Sequence, residues 1–186
     1  MKINTKQITV TAIMLALSIV VIQFIKLPLS ISGQSVGISG ALINLILIID
    51  TLYCGMLSGM LLAIIIPVLS FVLTASPIIS SVPLILPCIM IGNVVFVFFA
   101  WFVRGKKLEL NLMPLSLVAG SFAKAGIMAL LIVKWVIPQF GSALPAKALA
   151  MAKVTYSSTQ LIAALLGTFL ACIIWPVLKL GLKKIR

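Results

Sequence analysis

One lysine, Lys124, stands inside the apolar stretch LVAGSFAKAGIMALL, where every neighbour within several residues is apolar or small. It lies about 11 residues, or roughly 16 Å at 1.5 Å per residue, from the nearer polar end of that stretch. A lysine stem spans only about 6 Å, so the ammonium cannot fully snorkel back to the interface. An ammonium at that depth costs several kcal/mol unless it meets a polar cavity or an opposite charge. The chain has no histidine and only two acids, Asp50 and Glu109, which fall at the ends of other apolar runs. A polar cavity is therefore the expected host for Lys124, and the competing reading is a lysine hydrogen-bonded to helix carbonyls or held deprotonated.

Helical geometry extends this site. At 100° per residue Met128, Leu131 and Trp135 fall within about 40° of the Lys124 face, which puts an indole roughly 16 Å further along the same stripe. In the last apolar run Lys153, Ser157 and Gln160 share a face, with Tyr156 beside it. Asn93, in the fourth run after Pro87 and Gly92, is an intramembrane amide that needs a partner. Together these residues can line an outward cavity with a donor-rich floor and an aromatic rim, although each alone is also what holds neighbouring helices together.

Other chemistries lack their residues. A metal site calls for clustered His, Cys, Asp or Glu, and proton relay or proteolysis within a membrane calls for an acid, a base or a catalytic pair there. No G-x-x-x-x-G-K-[ST] loop is present for ATP. Cys54, Cys88 and Cys172 are odd in number and each lies in an apolar run, so no disulfide framework follows. No catalytic residue, metal or cofactor is expected.

The elements that must position these groups are set by composition. The 186 residues are 63% hydrophobic with a mean hydropathy of +1.35, which makes lipid the solvent. Apolar runs place spans at 7–26, 38–50, 52–75, 83–103, 113–137 and 154–178. The reading is an all-α integral membrane protein, a bundle of about six transmembrane helices forming one domain over 1–186. Asp50-Thr51 is expected as a tight turn between the second and third spans, because an acid is costly at mid-bilayer and tolerated at the interface. The basic head and long first run predict a retained first helix, since no small-residue exit for a signal peptide follows.

The formal charge of +12 is not a nucleic-acid footprint, because its lysines and arginines cluster at the ends of apolar runs. Nine of them, Lys2, Lys6, Arg104, Lys106, Lys107, Lys179, Lys183, Lys184 and Arg186, fall on one side of a six-span bundle, against Lys26, Lys134, Lys147 and Lys153 on the other. That bias predicts N and C termini in the cytoplasm of a multi-pass plasma-membrane protein in contact with anionic lipid. The longer Gly-, Pro- and Ser-containing connections then face outward, where recognition is expected. Small residues at four-residue spacing mark close helix contacts: Ala12 and Ala16, then Gly55, Gly59 and Ala63, then Ala163, Gly167 and Ala171. The first pair sits on a helix at the bundle's edge and is the best placed to meet another subunit.

The length, the Ala12-x-x-x-Ala16 strip, the long PLSISGQSVGISG connection, PLILPCIMIGN in the fourth helix and KVTYSSTQLIAALLG opening the sixth give the chain a family resemblance. It resembles the substrate-binding S components of energy-coupling factor (ECF) transporters, which capture vitamins and related micronutrients. The resemblance implies a transmembrane coupling subunit and two cytoplasmic ATPase subunits as partners, with ATP hydrolysis confined to the latter. It implies that Ala12 and Ala16 dock the coupling subunit. It makes Gln34, Ser35, Asn93, Lys124, Tyr156 and Gln160 candidates for the outer substrate pocket, joined by Trp135 and Lys153 at its rim. The alternatives are a self-contained homo-oligomeric carrier or channel, disfavoured by the lack of an acid in the membrane core, and a membrane scaffold.

Overall fold

The computed structural model describes residues 5–25, 28–31, 34–105 and 109–184. Its framework is helical: α1 (Thr5–Phe24), α2 (Ile38–Cys54), α3 (Met56–Thr74), α4 (Pro77–Ser81), α5 (Ile85–Val103), α6 (Glu109–Met128), α7 (Ile137–Phe140), α8 (Ala146–Val154) and α9 (Gln160–Lys184). A π-helical segment, Ala129–Val136, joins α6 to α7, and a second, Thr155–Thr159, joins α8 to α9. The connection after α1 carries a two-stranded antiparallel hairpin, β1 (Pro28–Ile31) and β2 (Gln34–Gly37), in register Pro28 with Gly37 and Ile31 with Gln34.

Among the described residues five helices are long and apolar enough to cross a membrane: Thr5–Phe24, Met56–Thr74, Ile85–Val103, Leu110–Phe140 and Ala146–Gly181. α2 is apolar but shorter, 17 residues or about 25 Å of rise. The last two long helices, of 31 and 36 residues, run well past the expected limits 113–137 and 154–178. The IPQFGSALPAKALAMAK segment between them is largely helical, and the chain reverses only around Gly141–Pro145. Large apolar side chains such as Leu61, Val72, Leu115, Phe169 and Val177 point outward around the bundle, which in water would be an untenable surface and in lipid is the required one.

The break between the second and third helices falls later than the expected Asp50-Thr51 turn. α2 continues through both residues to Cys54, and the chain reverses at Gly55, whose φ of 115° is one a side chain rarely tolerates. Asp50 is instead fully buried in the last turns of α2, where Thr11 of α1 donates a hydrogen bond to its Oδ1 at 3.1 Å. The carbonyls that α2 leaves open at its end are taken by Arg104: Nε donates to Leu52 at 2.9 Å and a terminal nitrogen to Tyr53 at 3.0 Å. Gln7 of α1 likewise donates to the Cys54 carbonyl at 2.8 Å. The start of α1, the α2–α3 reversal and the end of α5 thus meet at one end of the bundle. The hairpin, α4 and the α7–α8 reversal lie at the other.

Two of the three small-residue strips are spent inside the bundle. A Cβ on Gly167 would stand 2.6 Å from the Asn44 Cβ and 2.7 Å from the Ala41 carbonyl, so α9 presses its backbone onto α2. A Cβ on Gly59 would collide with the Thr51 hydroxyl and approach Val97 Cγ1 to 2.9 Å, which brings α3 against α2 and α5. In lipid such approaches supply much of the association energy, since no hydrophobic force joins apolar helices there. Three apolar clusters fill the interior: one toward the Arg104 end around Ile48, Phe96, Leu117 and Trp175, one toward the hairpin end around Val82, Met128, Ile132 and Tyr156, and one where α1 meets α2 and α3 around Val21, Leu47 and Leu62.

Candidate functional site

A polar layer separates the first two clusters. Lys124, at 3% exposure, donates from Nζ to Asn44 Oδ1 at 2.6 Å, and its ammonium lies 5.4 Å from the Phe96 ring centroid. The short charge-assisted bond and the π face offset part of the cost of burying the cation. Neither is a full counter-charge. An ammonium carries three donors, and among the described residues Asn44 is the acceptor that holds it.

The surroundings of this pair are set by small residues. Gly92 of α5 leaves the space that Met128 and the stem of Lys124 occupy: a Cβ there would meet Met128 Cγ at 2.6 Å and Lys124 Cγ at 3.6 Å. Gly167 leaves the space that lets Asn44 stand beneath α9. One helical turn from Lys124, Ser121 returns its hydroxyl to the Leu117 carbonyl at 2.9 Å and lies 3.2 Å from the Thr168 hydroxyl, both residues being buried. Asn93, also buried, donates to the Ala63 carbonyl across the α5–α3 contact at 3.5 Å. Buried polar groups in lipid are retained only when paired. α2, α5, α6 and α9 all contribute to this layer.

Outward from Lys124, the buried line along α6 is Met128, Ile132 and Val136. A regular α-helix would rotate positions four apart by 40° at each step. The wider turns of Ala129–Val136 cancel that drift. Trp135 accordingly sits off the buried line and is 47% exposed, away from the stripe that regular spacing from Lys124 and Met128 gives it. The second π segment, Thr155–Thr159, packs against the first and against α6. It holds Tyr156 buried in the outer cluster, with Gln160 half-buried just beyond and Lys153 exposed. π-helical turns recur at functional sites, and here two face each other at the outer end of one polar layer. The backbone of β2, which carries Gln34 and Ser35, lies against α2, α9 and this second π segment. The side chains of Gln34 and Ser35 lie outside the described residues.

The structure therefore brings Lys124 and Asn93 into one buried layer. It sets the strand of Gln34 and Ser35 beside the Tyr156–Gln160 turn, and it leaves Trp135 and Lys153 on the exterior. Asn44, Phe96, Ser121 and Thr168 went unremarked in the sequence. Asn44 carries the same signal as Asn93, a lone amide in the apolar run ISGALINLILIID, and was findable by the same rule. At the other end of the bundle, Ala12 and Ala16 are exposed on α1 while Ser18, Val21 and Ile22 face inward. A groove of about 370 Å³ runs between α1 and α3, lined among others by Thr11, Ala12, Leu15, Cys54, Ser58 and Arg104.

No His, Cys, Asp or Glu cluster able to hold a metal occurs among the described residues. An apolar exterior and helices long enough to span mark a multi-pass membrane protein with a polar layer in its interior. Its sequence matches the family described as ECF transporter, substrate-specific component, over residues 6–179, and the chain belongs to that family. No curated protein and no solved structure matches it. Membership makes the chain a transport and binding subunit that associates with the ECF module, its transmembrane T subunit and ATPases, and takes a small-molecule substrate.

Proposed function

We propose that this chain is the substrate-capture subunit of an ATP-driven ECF transporter for a small vitamin-like nutrient with an anionic or acceptor-rich group. In this reading α2 is the sixth span, both termini are cytoplasmic, and the hairpin end faces outward. The nutrient enters between β2 and the two π segments, and its acceptor group reaches Lys124.

The observation that carries this is the Lys124 ammonium, buried with one neutral acceptor among the described residues where three can be met. Among the described residues the partners of the ammonium are an amide oxygen and a ring face, with no acid beside it to favour a cationic ligand. The aromatic and apolar residues of the outer cluster, Tyr156 and Met128 among them, suit the apolar body of such a nutrient. The exposed Ala12–Ala16 strip supports docking of the coupling subunit on α1, since it is the one small-residue strip of the three that the bundle leaves uncovered.

Reconstitution in liposomes tests the reading. Uptake is expected only when the chain is combined with the coupling subunit and ATPases and supplied with ATP. Uptake by the chain alone would instead establish a self-contained carrier.

A further inference from the structure

The Lys124–Asn44 pair is held from both sides. Asn44 is 2% exposed, and a Cβ on Gly167 would stand only 2.6 Å from its own Cβ, so α9 fixes the amide against α2. The stem of Lys124 passes Gly92 of α5, where an added Cβ would stand 3.6 Å from its Cγ. The Phe96 ring, its centroid 5.4 Å from Nζ, bounds the ammonium on another side. The cation is therefore placed by four helices, with the 2.6 Å bond to Asn44 Oδ1 setting where Nζ points.

Neither of the chain's two acids balances this charge. Asp50 stands six residues beyond Asn44 on α2, about 9 Å of rise and about 120° round the helix, where it accepts from Thr11 of α1. Glu109 opens α6, about 22 Å of rise from Lys124. The polar layer of Asn44, Asn93, Ser121, Lys124 and Thr168 thus contains one cation and no anion. An aspartate has the shape of asparagine and would supply the missing counter-charge at position 44. The amide supplies the acceptor alone.

We propose that Asn44 is a specificity-determining residue: its neutral amide positions the ammonium while leaving its charge unbalanced, so the site selects a nutrient bearing a formal negative charge, such as a carboxylate, over a neutral one of the same shape. This rests on the reading of Lys124 as a substrate contact and narrows the substrate from any acceptor-rich group to an anionic one. An anionic group removes the cost of an unbalanced buried cation when it binds. A neutral acceptor forms the hydrogen bond and leaves that cost in place, and a cationic group adds repulsion to it.

The test uses the whole chain, purified in detergent as wild type, Asn44→Asp and Lys124→Met. The probe is the compound that mass spectrometry identifies as released from the wild-type protein. That compound should carry a net negative charge at neutral pH. Calorimetric titration of Asn44→Asp with it should show affinity lower by about tenfold or more, because the new carboxylate competes for the ammonium. The same variant should melt at the wild-type temperature or higher, since the buried cation has gained a counter-charge; a purely structural asparagine has no such signature. Wild-type affinity in Asn44→Asp, or affinity lost only together with a lowered melting temperature, would overturn the proposal, as would a wild-type chain that carries no compound or one without a negative charge. Lys124→Met separates the two readings. Affinity lost in Lys124→Met and kept in Asn44→Asp would leave Lys124 as the substrate contact and remove the role of Asn44, whereas affinity kept in Lys124→Met would remove both.

Discussion

Replacing Lys124 by methionine keeps the length and apolar volume of the side chain and deletes its charge. In the free protein two effects oppose each other. The bundle no longer buries an ammonium, which is favourable by several kcal/mol before its partners are counted. It also loses the 2.6 Å bond to Asn44 and the contact with Phe96, which leaves the Asn44 carbonyl unsatisfied at about 1–3 kcal/mol. Stability is thus expected to change little. Ligand affinity is expected to change a great deal. A hydrogen bond to a charged group contributes about 1.5–3 kcal/mol, which at about 1.4 kcal/mol per decade is roughly a ten- to hundredfold loss of affinity. Calorimetry on the detergent-purified protein, with the nutrient released from wild-type preparations as titrant, reads that loss directly. The double variant Lys124→Met with Asn44→Leu removes the orphaned carbonyl, so it should recover any lost melting temperature while affinity stays low. Wild-type affinity in Lys124→Met would refute the reasoning and assign Lys124 to holding α6 against α2.

Reporter fusions after Arg104 and Arg186 should both report cytoplasm, and an external signal from either would contradict six spans with inside termini. Replacing Ala12 and Ala16 together by leucine should abolish transport by the assembled complex while ligand binding to the isolated chain survives; lost binding with normal assembly would place the strip inside the bundle. Gly167→Ala should lower the melting temperature through overpacking of about 1–3 kcal/mol, because its new methyl meets the Asn44 Cβ at 2.6 Å and the Ala41 carbonyl at 2.7 Å; an unchanged melting curve would mean that α9 is not seated on α2 there. Arg104→Lys should recover only part of what Arg104→Ala loses, since an ammonium lacks the fork that spans the Leu52 and Tyr53 carbonyls, and full recovery in thermal melts would reduce Arg104 to a topological charge.

Much of the helical frame was legible because lipid enforces it: runs of apolar residues of the right length have few other fates. The second break shows the limit. The cost of burying an acid put the turn at Asp50, but the backbone turns where glycine permits φ of 115°, and Asp50 is carried inside with Thr11 as its partner. Spacing alone could not separate the three small-residue strips, which look alike in sequence and differ in their surroundings: Asn44 opposite Gly167, Thr51 and Val97 opposite Gly59, and an exposed face of α1 for Ala12 and Ala16. The depth of Lys124 was readable from its position, whereas its partner lies 80 residues earlier and depends on tertiary packing. The π segments have no local sequence signal, and they alter the phase of α6 enough to take Trp135 off the buried line.

Mass spectrometry of small molecules released from the purified wild-type and Lys124→Met chains tests substrate capture most directly. One acceptor-rich, vitamin-sized compound should accompany the wild-type protein in stoichiometric amount and be depleted from the variant. Recovery of no enriched compound from wild-type protein purified out of cells that take up the nutrient, or recovery of a purely cationic one at equal occupancy in both, would contradict it.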